Sequence, residues 1–463
     1  MKDILQDALN EIDDKYIAEA AAPQKRSRKP YWFAAVAAVL ILAIGFHSLF
    51  SPAQALIAAP IYPIAVPYAE QKENLTQYKL WKEFDETYHR QPDGFADNLQ
   101  PFFTRSTQVF LSDADTANKV YSPVNLYMAL AMLGECTDGS TRQQILDLLN
   151  TPNIEDVRTQ ANTVWKSLYY DDGLATSILA NSVWIDNEFS YNPFTVNTLA
   201  SKYMASVYRG NLGTNQMNKQ LEDWLNKQTG DLLTEYTDGI GLSPETVFAL
   251  VSTILFQGKW ETPFEASKTK NGVFHAATGD TEAAFMHNAF TDMYWQGNNY
   301  GIIRLPLKYE YDGFTMWFIL PNEGFSTQAL VQDGTCFDIV QDPFKEKNYQ
   351  SAIIELSLPK FDISSKTDLI DGLKQLGITD AFDTSTADYS PLTSKNIYLH
   401  KADQAARVTI DEKGVSAASY TKLEFLCGGS PTLEVDFILD RPFLFVITSR
   451  DGLPLFTGIV NEP

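Results

Sequence analysis

Residues 409–421, TIDEKGVSAASYT, constrain this chain more than any other stretch. From Gly414 to Thr421 there is no charge and no proline. A loop normally punctuates itself with Pro, Asn, Asp and Gly, and after Lys413 only Gly414 does so. The segment therefore has the composition of a strand. Side chains alternate along a strand with period 2. Val415, Ala417, Ser419, Thr421, Leu423 and Phe425 then share an uncharged face, small over its first four positions. Ser416, Ala418, Tyr420, Lys422 and Glu424 share the other face, which carries both charges. Periodicity alone is equally compatible with an ordinary edge strand.

The rest of the chain narrows the choice of function by exclusion. A formal net charge of −22 argues against a nucleic-acid partner, which needs basic patches to release counterions. It more simply provides solubility and can steer basic partners. The five histidines are His47, His89, His275, His287 and His400, and none has metal-ligand spacing. The cysteines, Cys136, Cys336 and Cys427, form no CxxC pair and no disulfide framework. An odd count leaves at least one thiol free. No GxSxG elbow, GxxxxGK[ST] loop or GxGxxG turn is present. Asp13-Asp14 and Asp171-Asp172 read as solvated pairs. We expect no enzyme, no cofactor and no metal.

One segment is strongly apolar. Residues 31–50, YWFAAVAAVLILAIGFHSLF, contain no Asp, Glu, Lys or Arg, and ~20 helical residues span roughly 30 Å, a bilayer's hydrocarbon thickness. Lys25, Arg26, Arg28 and Lys29 precede it, so the C-terminal body should lie outside. This reads as a cytoplasmic tail (1–30), a transmembrane anchor or signal segment (31–50) and an extracellular body. Ala53-Gln54-Ala55 also fits a cleavage site, which would make the protein secreted. Residues 51–91 begin with Pro52, Pro60, Pro63 and Pro67. Proline-rich chain is stiff and extended, so they read as a spacer, with the folded body at 92–463.

Within that body helical patterns come early. GFADNLQPFFTRSTQVFL, SPVNLYMALAMLGE and STRQQILDLLN have helical spacing, the second with Ser122 as N-cap and Pro123 at the first helical position. FALVSTILFQGKW, GFTMWFILP, SAIIELSLPKF and FLFVIT are apolar, β-branched and aromatic, as buried strands should be. Helices early and strands late indicate α+β rather than a repeating βαβ plan.

Seven strings occur in a telling order: KVYSPVNLYMALAMLGECTDGSTRQQI, NSVWID, LEDWLNKQTGDLL, ALVSTILFQGKWETPF, RLPLKYEYDGFTMWFILPNEG, IELSLPKFDISSKTDLIDGLKQLGI and DRPFLFVITSRDGLPLFTGIVNEP. With EKGVSAAS before the last of them, the chain resembles the serpins, protease inhibitors whose exposed reactive-centre loop inserts into their own sheet. The resemblance implies one domain of three β-sheets with eight or nine α-helices, despite a length that suggests two or three domains. It implies a monomeric suicide substrate. A protease cleaves the loop and forms an acyl-enzyme. Insertion of the hinge then drags it to a trapped state.

By the same resemblance the hinge is Glu412, Lys413, Gly414, Val415, Ser416, Ala417, Ala418 and Ser419, with Val415 where the family usually has Thr. Counting from Glu412 puts the cleaved bond at Gly428–Gly429, with Leu426 and Cys427 as rival positions. These small or apolar residues imply an extracellular elastase-like or subtilisin-like serine protease as target. A papain-like cysteine protease, or a non-inhibitory binding or carrier role, are the alternatives. A sheet-opening network is expected from Ser122, Asn125, Ser252 and Gln404, with Trp184 at the top of the main sheet where the hinge enters. The short acidic tail, single anchor and lack of disulfides suggest a bacterial source.

Overall fold

The structure is a computed structural model that describes residues 55–463 except 115, 238–240, 311–312, 346 and 416–432. The anchor segment 31–50 and the cleavage positions 426–429 therefore lie outside the described residues. So do Ser416 to Ser419. Among the described residues no helix is long and apolar enough to cross a membrane.

The α+β arrangement is built on two ladders. The main sheet uses β1 (Ala55–Ala58), β2 (Ala175–Asp186), β3 (Ala205–Gly210), β4 (Phe248–Lys259), β5 (Phe361–Asp368), β6 (Asp403–Asp411) and β7 (Gly414–Val415). Their spatial order is β1-β3-β2-β4-β7-β6-β5. The second ladder has nine strands. The three-sheet plan is condensed into two because one strand, Gly279–Gln296, pairs with Lys270–Ala276 and Tyr349–Pro359 along most of its length and, at Trp295 and Gln296, with the strand Tyr300–Pro306. It so fuses two of the expected sheets.

Burial follows the sequence pattern. Phe443–Thr448 is wholly buried, as its unbroken apolar run predicts. β6 alternates instead, with Gln404, Ala406, Val408 and Ile410 buried and the residues between them facing outward. Between the sheets lies helix α2 (Pro123–Cys136), buried on nearly every side. It starts where the sequence signalled. Ser122 caps it, its Oγ accepting from the Asn125 amide at 3.4 Å, and Pro123 occupies the first turn. It packs against both β4 and the strand Pro454–Val460.

One expectation is overturned. The sequence reads residues 51–91 as a spacer, but the compact unit begins at Ala55. β1 pairs antiparallel with β3, continuing the main sheet by one strand. Tyr62 stacks on Trp165 at 5.1 Å, and the Tyr68 amide donates to the Asp172 carbonyl at 2.9 Å. Helix α1 (Leu75–Tyr88), capped by Asn74, then buries Trp81 completely, with its indole N–H on Asp172 Oδ2 at 2.8 Å. Asp85 on the same helix accepts from Tyr309 Oη at 2.8 Å. The prolines signal stiffness, yet residues 59–70, which carry them and form no strand, are held to the body by aromatic and backbone contacts such as those of Tyr62 and Tyr68.

Trp81→Ala should cost about 3–5 kcal/mol, the range for deleting a buried large aromatic. A chain begun at residue 92 should melt well below one begun at residue 55, since it exposes the partners of Tyr62 and Trp81. Thermal unfolding of the two variants checks both.

Candidate functional site

β6 runs up one side of the main sheet and turns back at Glu412 and Lys413 into β7. Asp411 closes that turn, its Oδ1 accepting from the Lys413 amide at 2.8 Å and the Gly414 amide at 3.3 Å. β7 then descends between two strands. Val415 pairs with Ile410 of β6 on one side and with Gly258 of β4 on the other. Among the described residues no ladder joins β4 directly to β6, and β7 stands between them. The two strands are thus two ladder spacings apart at this end, roughly 10 Å.

Val415 is buried. Val415 belongs to the odd-numbered, uncharged set of the segment. Gly414 has φ +152, and a Cβ there would meet the Gly258 carbonyl oxygen at 2.3 Å. The close backbone approach, as well as the turn, requires glycine. Below Val415 lies a small cavity lined by Phe256, Val408, Ile447 and Phe456.

The turn is held from β4's end and from a neighbouring segment. Trp260, buried next to β4, donates its indole N–H to the Asp411 carbonyl at 2.8 Å and its backbone N–H to the Lys413 carbonyl at 3.1 Å. The Phe264 amide reaches the Glu412 carbonyl at 2.9 Å. The Glu412 carboxylate accepts from Thr269 Oγ1 at 2.9 Å and pairs with Lys360 Nζ at 3.1 Å. Burial alone would raise this carboxyl. Its backbone hydrogen bond, Thr269 and Lys360 outweigh burial and hold it below the ordinary glutamate value.

Ser122, Asn125, Ser252 and Gln404 come together in one network beneath β4 and β6. Gln404 accepts from the Ser122 amide at 2.7 Å through Oε1 and donates to the Ser122 carbonyl at 3.0 Å through Nε2. Ser122 Oγ donates to the Leu455 carbonyl at 2.6 Å. Asn125 Nδ2 donates to the Ser252 carbonyl at 3.1 Å, and Ser252 Oγ donates back to Asn125 Oδ1. The amino terminus of α2 therefore grips β6 through Gln404 and β4 through Ser252. A glutamine does this because it donates and accepts at once.

Trp184 does not belong with them. It pairs with Ala249, whereas Val415 pairs with Gly258 on the same strand. That is nine residues farther along, roughly 30 Å at ~3.3 Å per residue. Trp184 is buried at the far end of the sheet, stacked on Tyr208 at 4.5 Å and packed with Met217, Leu221 and Trp224. β2 runs antiparallel to β4, so a tryptophan near the end of β2 sits at the start of β4. The tryptophan at the hinge is Trp260. It ends the string ALVSTILFQGKW, so its position was visible in the sequence. Thr269 and Lys360 gave no local signal, because both reach Glu412 from far along the chain.

Among the described residues no group of His, Cys, Asp or Glu is arranged to hold a metal. Cys136 and Cys336 are buried and unpaired with one another, and burial pushes both thiols well up. His400 is exposed against the edge of Tyr398.

The model of the Serpin (serine protease inhibitor) family matches residues 98–463. The chain belongs to the serpin family. It is 31% identical over 376 residues to the alpha-1-antitrypsin-like protein GS55-MS of Ictidomys tridecemlineatus, covering 80% of this chain and 88% of that protein. Serpin-Z2B of Oryza sativa subsp. japonica is 26% identical over 406 residues, covering 80% and 98%. Among solved structures, the native state of the thermophilic serpin tengpin matches with TM-score 0.70 and 25% identity, covering 81% of this chain and 96% of that one. Thyroxine-binding globulin in complex with thyroxine matches in fold, with TM-score 0.66 and 24% identity, covering 80% and 99%. Serpins are in general protease inhibitors rather than enzymes. The family match starts at residue 98, so the packed segment 55–97 precedes the part this chain shares with that model.

Glu412→Gln should lower Tm at pH 7 by about 1–3 °C, the scale of one partly screened ion pair in a domain this large. The folded carboxyl titrates below the unfolded one. Its contribution is therefore present above the ordinary glutamate value and lost as pH falls through the folded value. The Tm gap between variant and wild type should close below about pH 4. A gap independent of pH would assign the effect to shape rather than charge.

Proposed function

We propose that this serpin is a suicide-substrate inhibitor that traps an extracellular serine protease by loop cleavage and insertion into the main sheet. One observation carries this reading. Val415, the first residue of the insertable run, is already laddered between β4 and β6 with its side chain inward. Continuing that register brings Ala417 against Phe256 and Val408, two of the residues lining the cavity below Val415. Every later inward position to Phe425 is uncharged. Each backbone hydrogen bond added contributes roughly 1 kcal/mol net. An unpaired inward charge would cost several.

The bond cleaved is assigned to Gly428–Gly429, with Leu426 and Cys427 as rivals. All are small or apolar, so an elastase-like or subtilisin-like protease fits better than a trypsin-like one, whose pocket wants a cation. Phe425 and Leu426 would also suit a papain-like subsite. The second reading, a binding or carrier role, is favoured by the fold likeness to a structure holding thyroxine. We further infer that residues 31–50 anchor the body outside a bacterial cell membrane, or are removed near Ala55. This rests on their length, their lack of charge and the cations before them.

Mixing residues 55–463 with an elastase and with subtilisin should give a denaturation-resistant adduct and a released C-terminal peptide whose mass names the bond. Val415→Arg should abolish the adduct while leaving cleavage intact. If Val415→Arg traps protease as well as wild type, the insertion model is falsified. Cleavage of wild type without any adduct moves the protein to the carrier reading. Cys427 should be the thiol that a water-soluble reagent labels in the native protein, since Cys136 and Cys336 are buried. Equal labelling of Cys427→Ala rejects this.

A further inference from the structure

Ile61 and Ile64 are the most exposed large apolar side chains among the described residues, at 92% and 90%. The next, Phe194, reaches 68%. Burial around them repeats every three residues. Tyr62 stacks on Trp165, Ala65 packs against the core, and Tyr68 meets Trp81 edge-on at 5.0 Å. One position ahead of each, Ile61, Ile64 and Pro67 face outward. Three residues per turn is the period of an extended polyproline-like chain, and Pro60, Pro63 and Pro67 favour it. The outward row is therefore stiff, its members roughly 9 Å apart at ~3.1 Å per residue. Tyr62, Ala65 and Tyr68 hold it to the body, and neither isoleucine is packed there.

We propose that the row Ile61, Ile64 and Pro67 is a lipid-contacting surface, seated in the headgroup boundary of an uncharged bilayer. Exposed apolar patches mark membrane or protein contacts, and charge and reach favour the membrane. From Tyr31 to Ala69 there is no Asp, Glu, Lys or Arg, in a chain that is 20% charged. The uncharged run thus continues without a break from the bilayer-length segment 31–50 through the row. The first charges after it are Glu70 and Lys72, which pair with each other at 2.6 Å. Only Ser51 to Gln54 separate Phe50 from the compact unit that begins at Ala55, and the steps between Phe50 and Ala55 extend at most ~18 Å. A chain of net charge −22 is repelled by anionic lipid, whereas uncharged β-branched side chains need no lipid charge to be buried. Seating the row orients the body at the membrane instead of leaving it to swing on residues 51–54.

The inference rests on the anchor reading, and its test separates the two. The full chain carrying Cys427→Ala is reconstituted in phosphatidylcholine vesicles. A thiol fluorophore is attached through Ile61→Cys, Ile64→Cys or, on the second ladder, Val273→Cys, an apolar position that is 48% exposed. Cys136 and Cys336 are buried and stay unlabelled. Quenching by spin-labelled lipid reads contact with the bilayer, and resistance to alkaline extraction reads the anchor. We expect strong quenching at 61 and 64 and little at 273. A fluorophore at Pro67→Cys reads the same contact with both isoleucines kept. Adding Ile61→Asp and Ile64→Asp should lower its bilayer-contacting population roughly tenfold, the scale of losing two buried isoleucines, and leave Tm unchanged. An anchored chain quenched no more at 61 and 64 than at 273 overturns the lipid surface and leaves the anchor standing. Alkaline extraction with the row still quenched removes the anchor alone. Extraction with the row unquenched removes both. Fluorophores at 61 and 64 that become shielded without vesicles as protein concentration rises assign the row to a second copy of the chain, which also overturns the lipid surface.

Discussion

The backbone ladder that β7 forms with β4 and β6 governs the rest of the structure. Two strands of a sheet normally satisfy each other's N–H and C=O groups, and a buried group left unpaired costs as much as a lost hydrogen bond. Here the two strands are spaced for a third. Gly414 and Val415 supply it at one end. The spacing explains the network beneath. The amino terminus of α2 cannot be held by one strand, so Ser122 takes Gln404 from β6 and Asn125 takes Ser252 from β4. It also explains the hinge turn. Trp260 and Phe264 extend β4 far enough to hold the carbonyls of residues 411–413 that β6 alone would leave exposed.

Much of this was legible because it is local. Period 2 is a property of any strand, so alternation divides residues 415–425 into a charged and an uncharged set, and buried Val415 belongs to the uncharged one. The cap of α2 was equally readable, since Ser122 and Pro123 act within one turn. Trp184 was not. Its sequence context gives its strand but not that strand's direction relative to the hinge, and only the antiparallel pairing of β2 with β4 settles which end of the sheet it occupies. The Glu412 partners were hidden for a related reason. Thr269 and Lys360 are separated from it by more than a hundred and about fifty residues, and nothing in their neighbourhoods marks them.

Residues 55–91 show how composition misleads. Proline content measures stiffness and says nothing of what lies alongside. The deciding residues were the aromatics between and after the prolines. Tyr62 and Trp81 are too large to leave exposed on a spacer, and each finds a buried partner, Trp165 and Asp172. Smaller apolar side chains do stay exposed there, among them Leu56, Ile61, Ile64 and Leu80.

Magnitudes divide the labour between the two faces of the segment after Val415. A strand of ~10 residues gains several kcal/mol from its ladder, and a single unpaired charge on the inward face would remove a comparable amount. The inward face therefore sets whether insertion is favourable at all. Register is a separate matter, and the turn settles it: with only Glu412 and Lys413 between the strands, Gly414 is held opposite Asp411 and Val415 opposite Ile410. A strand that continues from Val415 starts from a fixed alignment, so what its sequence has to supply is an uncharged alternate set, and the only charges from Val415 to Phe425 are at positions 422 and 424, outside that set.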